Sequence, residues 1–269
     1  MSRSPLRHLP IILALALGAA SLAISLGVFN PGKVAPAADA ASAPAPASFS
    51  AAQSEEIGKI SADHLLANPE IIRAAIQALQ AKEEAAKANS QVEAVKQFKE
   101  QIFADANAPF AGNPAGDVTV VEFFDYKCPY CKQVTPALEG LLKSDPGLKI
   151  VFKEFPILGE PSLLAAKAAL AAAKQGKYLP FHTALMAHRG TLDLNSIATV
   201  AAATGLNAEQ LVNDMQSEEI VNQLKANHDL ALALSIRSTP TFIVGDRVMP
   251  GALSIEDLQN LIKDARQGS

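Results

Sequence analysis

Along the chain, apolar and polar positions first form a compact run at Val118–Phe124, VTVVEFF, in which only Thr119 and Glu122 are polar. A short apolar run of this kind predicts a strand covered on both faces. A turn follows at Asp125–Lys127, and then Val134, Leu138, Leu141 and Leu142 recur at helical spacing. Leu148–Phe155 predicts a second strand, ended by Pro156, and Asn113–Asp117 predicts the turn that leads into the first. Residues 161–234 carry only helical pattern, over roughly 162–175, 180–188, 194–203, 208–215 and 218–234, with Asn207 and Ser217 as start signals. The apolar run after Ser238 opens on Pro240; Asp246 turns it into a short strand at Arg247–Met249, and Ser254 caps a last helix through Ile262. This order places an α/β domain at 107–269, interrupted by a helical insertion at 161–234.

Before it, residues 49–106 predict a helical arm. Ser50 and Gln53 can form a capping box. Ile57, Ile60, His64 and Leu65 follow at helical spacing, Asn68-Pro69 breaks the helix, and Ile72, Ile76 and Leu79 make a second stripe. The stretch AKEEAAKANS keeps helix propensity without large apolar residues, and Val95, Phe98 and Ile102 resume the stripe. Such a helix needs something over its apolar face. Two readings stand: it packs on its own domain, or it meets copies of itself. Residues 39–48, within an Ala/Pro/Ser-rich stretch, read as a flexible linker. Residues 1–38 read as a signal peptide or an N-terminal anchor, with Arg3 and Arg7 ahead of an uncharged run over 11–29. Either way the positive flank stays inside and the rest is exported, which makes the expected location the periplasm.

Composition sharpens the chemistry. The net charge is −4 and no basic patch exists, which argues against nucleic acid as a partner. There are two cysteines, Cys128 and Cys131, in the sequence Cys-Pro-Tyr-Cys. They fall at the start of the predicted helix, where unpaired N–H groups and the helix dipole favour an anion. This makes Cys128 the expected nucleophile and Cys131, one turn on, the thiol that attacks a mixed disulfide. Pro129 suits a first helical turn. Glu122 shares a strand face with Val120 and Phe124, which predicts a buried carboxylate with a raised pKa, fit to accept a proton from Cys131. Asp125 and Lys127 read as solvated turn residues. His182, His188 and His228 read as surface or packing side chains, since no pair has metal-ligand spacing. Pro240 is either the first residue of a strand or the second half of a cis Thr239–Pro240 bond facing the dithiol. The dithiol is its own redox group and implies no cofactor. As an alternative, the same two thiols can serve as Cu(I) ligands, since soft Cu(I) accepts two-coordinate thiolate sites. A third reading is a structural envelope protein with a residual dithiol.

The segments VVEFFDYKCPYCK, FKEFPILG and STPTFIVGDRVMPGA resemble the DsbA-type thiol–disulfide oxidoreductases of the bacterial envelope. With the arm, IGKISADHLLANPEII, and the lead-in GNPAGDVTVVEFFDY, the chain is most similar to the suppressor-of-copper-sensitivity C group, ScsC. The resemblance implies a thioredoxin-like fold with a helical insertion. It implies Cys128 as nucleophile, Cys131 as resolving thiol, a cis Pro240 preceded by Thr239, and Glu122 as the buried acid. Some members are trimers joined by their N-terminal helices and act as disulfide isomerases; others are monomers. Thr239 resembles the isomerases, and Tyr130 departs from the His of the oxidase DsbA. The implied activity is disulfide isomerase, with monomeric oxidase or copper tolerance as alternatives. The implied partners are disulfide-containing envelope proteins, a membrane redox partner, and further copies of the chain joined through residues 49–106 as a homotrimer.

Overall fold

The computed structural model describes residues 49–268. The segments read as signal peptide or anchor and as linker lie outside them. Among the described residues, no helix is long and apolar enough to cross a membrane.

The chain divides into two compact units between His64 and Leu65, within helix α1 (Ala51–Ala67). The described part of the first unit is helical and has no buried residue. Its start is the reciprocal cap expected from sequence: Gln53 N–H donates to Ser50 Oγ at 3.3 Å and Ser50 N–H to Gln53 Oε1 at 2.9 Å.

The second unit holds the rest. Helices α2 (Glu70–Gln97) and α3 (Lys99–Phe103) lead into strand β1 (Phe110–Gly112), β2 (Val118–Phe124), α4 (Pro129–Ser144) and β3 (Leu148–Glu154). Five helices then follow as the insertion: α5 (Glu160–Lys174), α6 (Tyr178–Ala187), α7 (Leu194–Ala203), α8 (Ala208–Asp214) and α9 (Glu218–Ala233). Strands β4 (Thr241–Val244) and β5 (Arg247–Pro250) and helix α10 (Ile255–Gln267) close the chain. The sheet runs β1-β3-β2-β4-β5, with β2 and β3 parallel and every other pairing antiparallel. This is the thioredoxin fold with a helical insertion.

Strand alternation divides the core between two faces. On one, Val118, Val120 and Phe124 pack with Cys131, Val134 and Leu138 of α4, with the insertion, and with Leu258 and Leu261 of α10. On the other, Val121, Phe123 and Ile243 pack with Leu230 of α9, with Leu234 just after it, and with Val95 and Ile102. The last part of the expected arm is therefore core of this unit, and the boundary expected at 106/107 does not coincide with a break in packing. Phe98 and Phe103 pack against the same cluster, and Asp105 pairs with buried Lys153 at 2.6 Å.

Two details differ from the sequence reading. Strand β1 precedes the strand that was expected to be first; the turn at Asn113–Asp117 lies between the two. Gly112 ends β1 at φ 86°, where an added Cβ would sit 2.3 Å from the Leu148 carbonyl oxygen, so only glycine fits. Helix α10 runs on to Gln267, five residues past the expected end. Arg266 in that extra turn grips Asp117 and Asp145 with its guanidinium at 2.8–2.9 Å.

Candidate active site

Chain geometry at the end of β2 sets the thiols. The strand ends at Phe124, and the Cys128 N–H donates to the Asp125 carbonyl at 3.0 Å, closing a tight turn. Cys128 is then the N-cap of α4, extended at φ −68° and ψ 117°, with Pro129 in the first turn. Its carbonyl accepts the Lys132 N–H at 3.2 Å. Cys128 thus stands at the end of α4 where the helix's first N–H groups lack intrahelical partners, though its side chain makes no capping hydrogen bond to them. Cys131, one turn on, is fully buried, and both thiols are free.

The loop before β4 comes back to this point from far along the chain. Thr239–Pro240 is cis, and Cys128 Sγ donates to the Thr239 carbonyl at 3.2 Å. Pro240 does not enter the ladder as a donor; its carbonyl instead accepts the Gly251 N–H at 2.8 Å. Of the two sequence readings of Pro240, the cis bond facing the dithiol is the one the structure contains.

Glu122 lies opposite Phe152 on β3 and Phe242 on β4, between Val120 and Phe124 on the α4 face. It is 1% exposed, its Oε1 has no hydrogen-bond partner, and burial pushes its carboxyl up to about 8. Cys131 is held far above the usual thiol range, chiefly by burial and secondly by the charge of Glu122. A carboxyl that titrates near neutrality beside a thiol that resists ionisation is a fitting proton acceptor.

Asp125 is not the solvated residue expected. It is buried, and its carboxylate accepts three backbone N–H groups, from Lys127 at 2.7 Å, Ile157 at 2.9 Å and Leu158 at 3.0 Å. It thereby ties the loop after β3 to the dithiol turn. The bond to Lys127 is an Asx turn and local in sequence; the other two come from more than thirty residues away and leave no local trace. Lys127 is exposed, with its ammonium on the Leu158 carbonyl at 3.1 Å.

Sequence reasoning missed a buried polar cluster beside the dithiol layer. Glu154 Oε1 accepts from Tyr178 at 2.9 Å and from Tyr126 at 3.1 Å, and the Tyr126 hydroxyl lies 3.0 Å from His182 Nδ1. His182 packs among Phe124, Phe152 and Tyr178, and burial lowers its pKa to about 3, so it is neutral. It is a packing histidine, as read; what the sequence hid is its polar contact. His228 packs on Phe155, and His188 lies near the Thr191 carbonyl. Among the described residues, no group of three or more His, Cys, Asp or Glu side chains is placed to hold a metal ion.

The cavity of about 590 Å³ bounded by Val95, Val118, Val244 and Leu261 is at the far end of β2 from the dithiol and contributes nothing to this chemistry.

Residues 119–263 match the family described as the DSBA-like thioredoxin domain, and residues 53–86 match the copper resistance protein ScsC N-terminal domain. A thioredoxin-like oxidoreductase from Silicibacter pomeroyi is 44% identical, covering 63% of this chain and 98% of its own, with a TM-score of 0.62. Proteus mirabilis ScsC in a transitional conformation is 30% identical over 82% of this chain and 98% of its own, with a TM-score of 0.61. The thiol:disulfide interchange protein DsbA of Bordetella parapertussis is 30% identical over 55% of this chain and 73% of its own. Regions of Na(+)/H(+) antiporters also match, at 31% identity for that of Salinispora tropica; the chain spans about a quarter of the length of these curated relatives.

Proposed function

Because the chain belongs to the DSBA-like thioredoxin domain family, we propose that it is a thiol–disulfide oxidoreductase of the bacterial periplasm, and that it reshuffles disulfides in envelope proteins. The observation that carries the redox reading is the Cys128 thiol at the start of α4, 3.2 Å from the Thr239 carbonyl, with buried Cys131 one turn behind it.

The Cys128 thiolate attacks one sulfur of a substrate disulfide. A mixed disulfide forms, and the other substrate sulfur leaves as a thiolate that takes up a proton. Two exits follow. In the first, a substrate thiol attacks the mixed disulfide, restores Cys128 and leaves a new substrate disulfide, with no net change of oxidation state. In the second, Cys131 gives its proton to Glu122 and attacks Cys128. The Cys128–Cys131 bond forms, the substrate leaves reduced, and the dithiol has lost two electrons. Burial of Cys131 slows the second exit and favours the first. The loop at Thr239, which meets the Cys128 thiol, is where an extended substrate segment would lie.

Reshuffling is further supported by the match of residues 53–86 to the ScsC N-terminal domain and by exposed Ile72, Ile76 and Leu79 on α2, which suit assembly of copies into a homotrimer. The basic and apolar start of the chain supports export. An isomerase must stay reduced, so a membrane redox partner supplies electrons. The test is recovery of activity from a scrambled substrate with several disulfides. Recovery by the full mature chain that is lost in Cys128→Ala supports an isomerase. Oxidation of a reduced substrate without recovery from the scrambled one makes it an oxidase instead.

A further inference from the structure

Glu154 ends β3 at 1% exposure, and its two carboxylate oxygens have different surroundings. Oε1 accepts from both Tyr126 and Tyr178, while Oε2 is buried without a partner. Glu122 presents the same situation one strand away: its Oε1 is also buried and without a partner. The parallel register pairs Glu122 with Phe152 and Phe124 with Glu154. The two acids therefore sit on adjacent strands, on one face of the sheet, two residues apart, in a layer of Phe124, Phe152 and His182 rings.

No lysine or arginine among the described residues pairs with either acid. The cation next in sequence, Lys153, points to the other face and is held by Asp105 at 2.6 Å. The other titratable groups in reach are Asp125 after β2, Tyr126, Cys131 on α4, and Tyr178 and His182 on α6; α9 adds only the Asn227 amide, on the Glu154 carbonyl at 3.2 Å. None of these supplies a positive charge near neutral pH. Two neighbouring carboxyls in an apolar layer without a cation do not both ionise there.

We propose that Glu122 and Glu154 are a coupled acid pair that shares one proton, with Glu154 the positioning residue that decides when Glu122 is ionised and free to take the proton of Cys131. The proposal rests on the thiol–disulfide reading above. Burial raises the Glu154 pKa and the two phenols that donate to it oppose that rise, so when one carboxyl of the pair is ionised they favour the charge on Glu154; His182 Nδ1–H then donates to the Tyr126 oxygen. While the charge is on Glu154, Glu122 keeps the shared proton and Cys131 has no acceptor. When the proton passes to Glu154, Glu122 is a carboxylate. Cys131 can then give up its proton and attack Cys128, and the mixed disulfide is resolved with Glu122 protonated. The insertion helix α6, through Tyr178 and His182, thus reaches the resolving step without touching either thiol.

The experiment follows the resolving step alone. The purified full chain is charged with glutathione on Cys128, and release of glutathione is timed across about pH 5 to 9. The wild-type profile is expected to show two ionisations belonging to the pair. Glu154→Gln keeps the acceptor oxygen and the shape, and is expected to leave one ionisation, moved about one pH unit to the acid side because the like charge is gone. Tyr178→Phe, which weakens the hold on Glu154, is expected to move the profile the same way by less. A Glu154→Gln profile that superimposes on wild type, while Glu122→Gln changes it, overturns the proposal and leaves Glu154 a packing residue. Carboxyl carbon NMR titration of the wild-type chain reads the pair directly, whether or not a variant folds: two coupled steps support it, and two independent ones overturn it. Failure of the wild type to exchange with glutathione overturns the redox reading, while the titration still decides the pair.

Discussion

Glu122 keeps its proton until about pH 8 in the folded chain and loses it near 4.5 when unfolded, because burial penalises the carboxylate. The folded state therefore binds more protons between those values. The stability this contributes is full below 4.5 and is lost as the pH rises to about 8. Glu122→Gln removes its own share of the dependence, leaving that of Glu154, whose pKa burial also raises, and is expected to gain on wild type by a few kcal/mol at alkaline pH, on the order of the pKa shift, with no gain in acid. His182 has the opposite sign. It is neutral in the fold down to about pH 3 but titrates near 6.5 when unfolded, so its contribution is full above 6.5 and is lost as the pH falls toward 3. His182→Gln is expected to flatten the acid limb of stability against pH; urea unfolding across pH 4 to 9 measures both effects. The two thiols are separable by the same logic of burial. Cys131 in Cys128→Ala is expected to alkylate at least about tenfold more slowly than Cys128 in Cys131→Ala, because it is wholly enclosed, against 4% exposure for Cys128, and its thiol resists ionisation; equal rates contradict the assignment of nucleophile and resolving thiol. The dithiol at a helix start and the burial of Glu122 were legible because each is announced by its own few neighbours, whereas the residues around Pro240 left two readings open and the cis bond came from the structure. The burial of Asp125 and Glu154 was not legible, because, apart from the local Lys127 N–H on Asp125, their side-chain partners lie 24 or more residues away in the chain.

At the scale of elements, the helical pattern from Ser50 to Ile102 said that something covers an apolar stripe, but periodicity does not say what. The structure divides the answer along the arm. Ile102 is fully buried against the sheet, while Ile72 and Ile76 are about half exposed. Ile102→Ala is expected to cost about 2–5 kcal/mol, since it opens a cavity between α3 and β2. Ile76→Ser is expected to leave the unfolding free energy of a dilute chain nearly unchanged; equal losses for the two variants in urea contradict this division. The insertion was readable because five helices in a row leave no strand pattern to compete with them. Strand β1 was not, because three residues carry too little alternation, and its place at the edge is fixed by pairing with β3 rather than by anything local.

For the whole molecule, the packing of Val95, Phe98, Ile102 and Phe103 decides how the role of the arm must be tested. A chain beginning at residue 107 removes these side chains together with the Asp105–Lys153 bond and uncovers Val121, Phe123 and Ile243. Its loss of activity would report damage to the core, not loss of assembly. A chain beginning near residue 90 keeps the core and removes the exposed stripe of α2. If copies join through the arm, the chain from residue 49 is expected to sediment as a trimer and to recover a scrambled substrate. The chain from residue 90 is then expected to be a monomer that still exchanges thiols with glutathione at the wild-type rate yet fails to reshuffle. The difference arises because a reshuffling enzyme must hold a misfolded chain while several disulfides are tried, and linked copies raise the effective concentration of dithiols around it. Equal reshuffling by the two chains, or a monomeric long chain, would confine the activity to one catalytic unit.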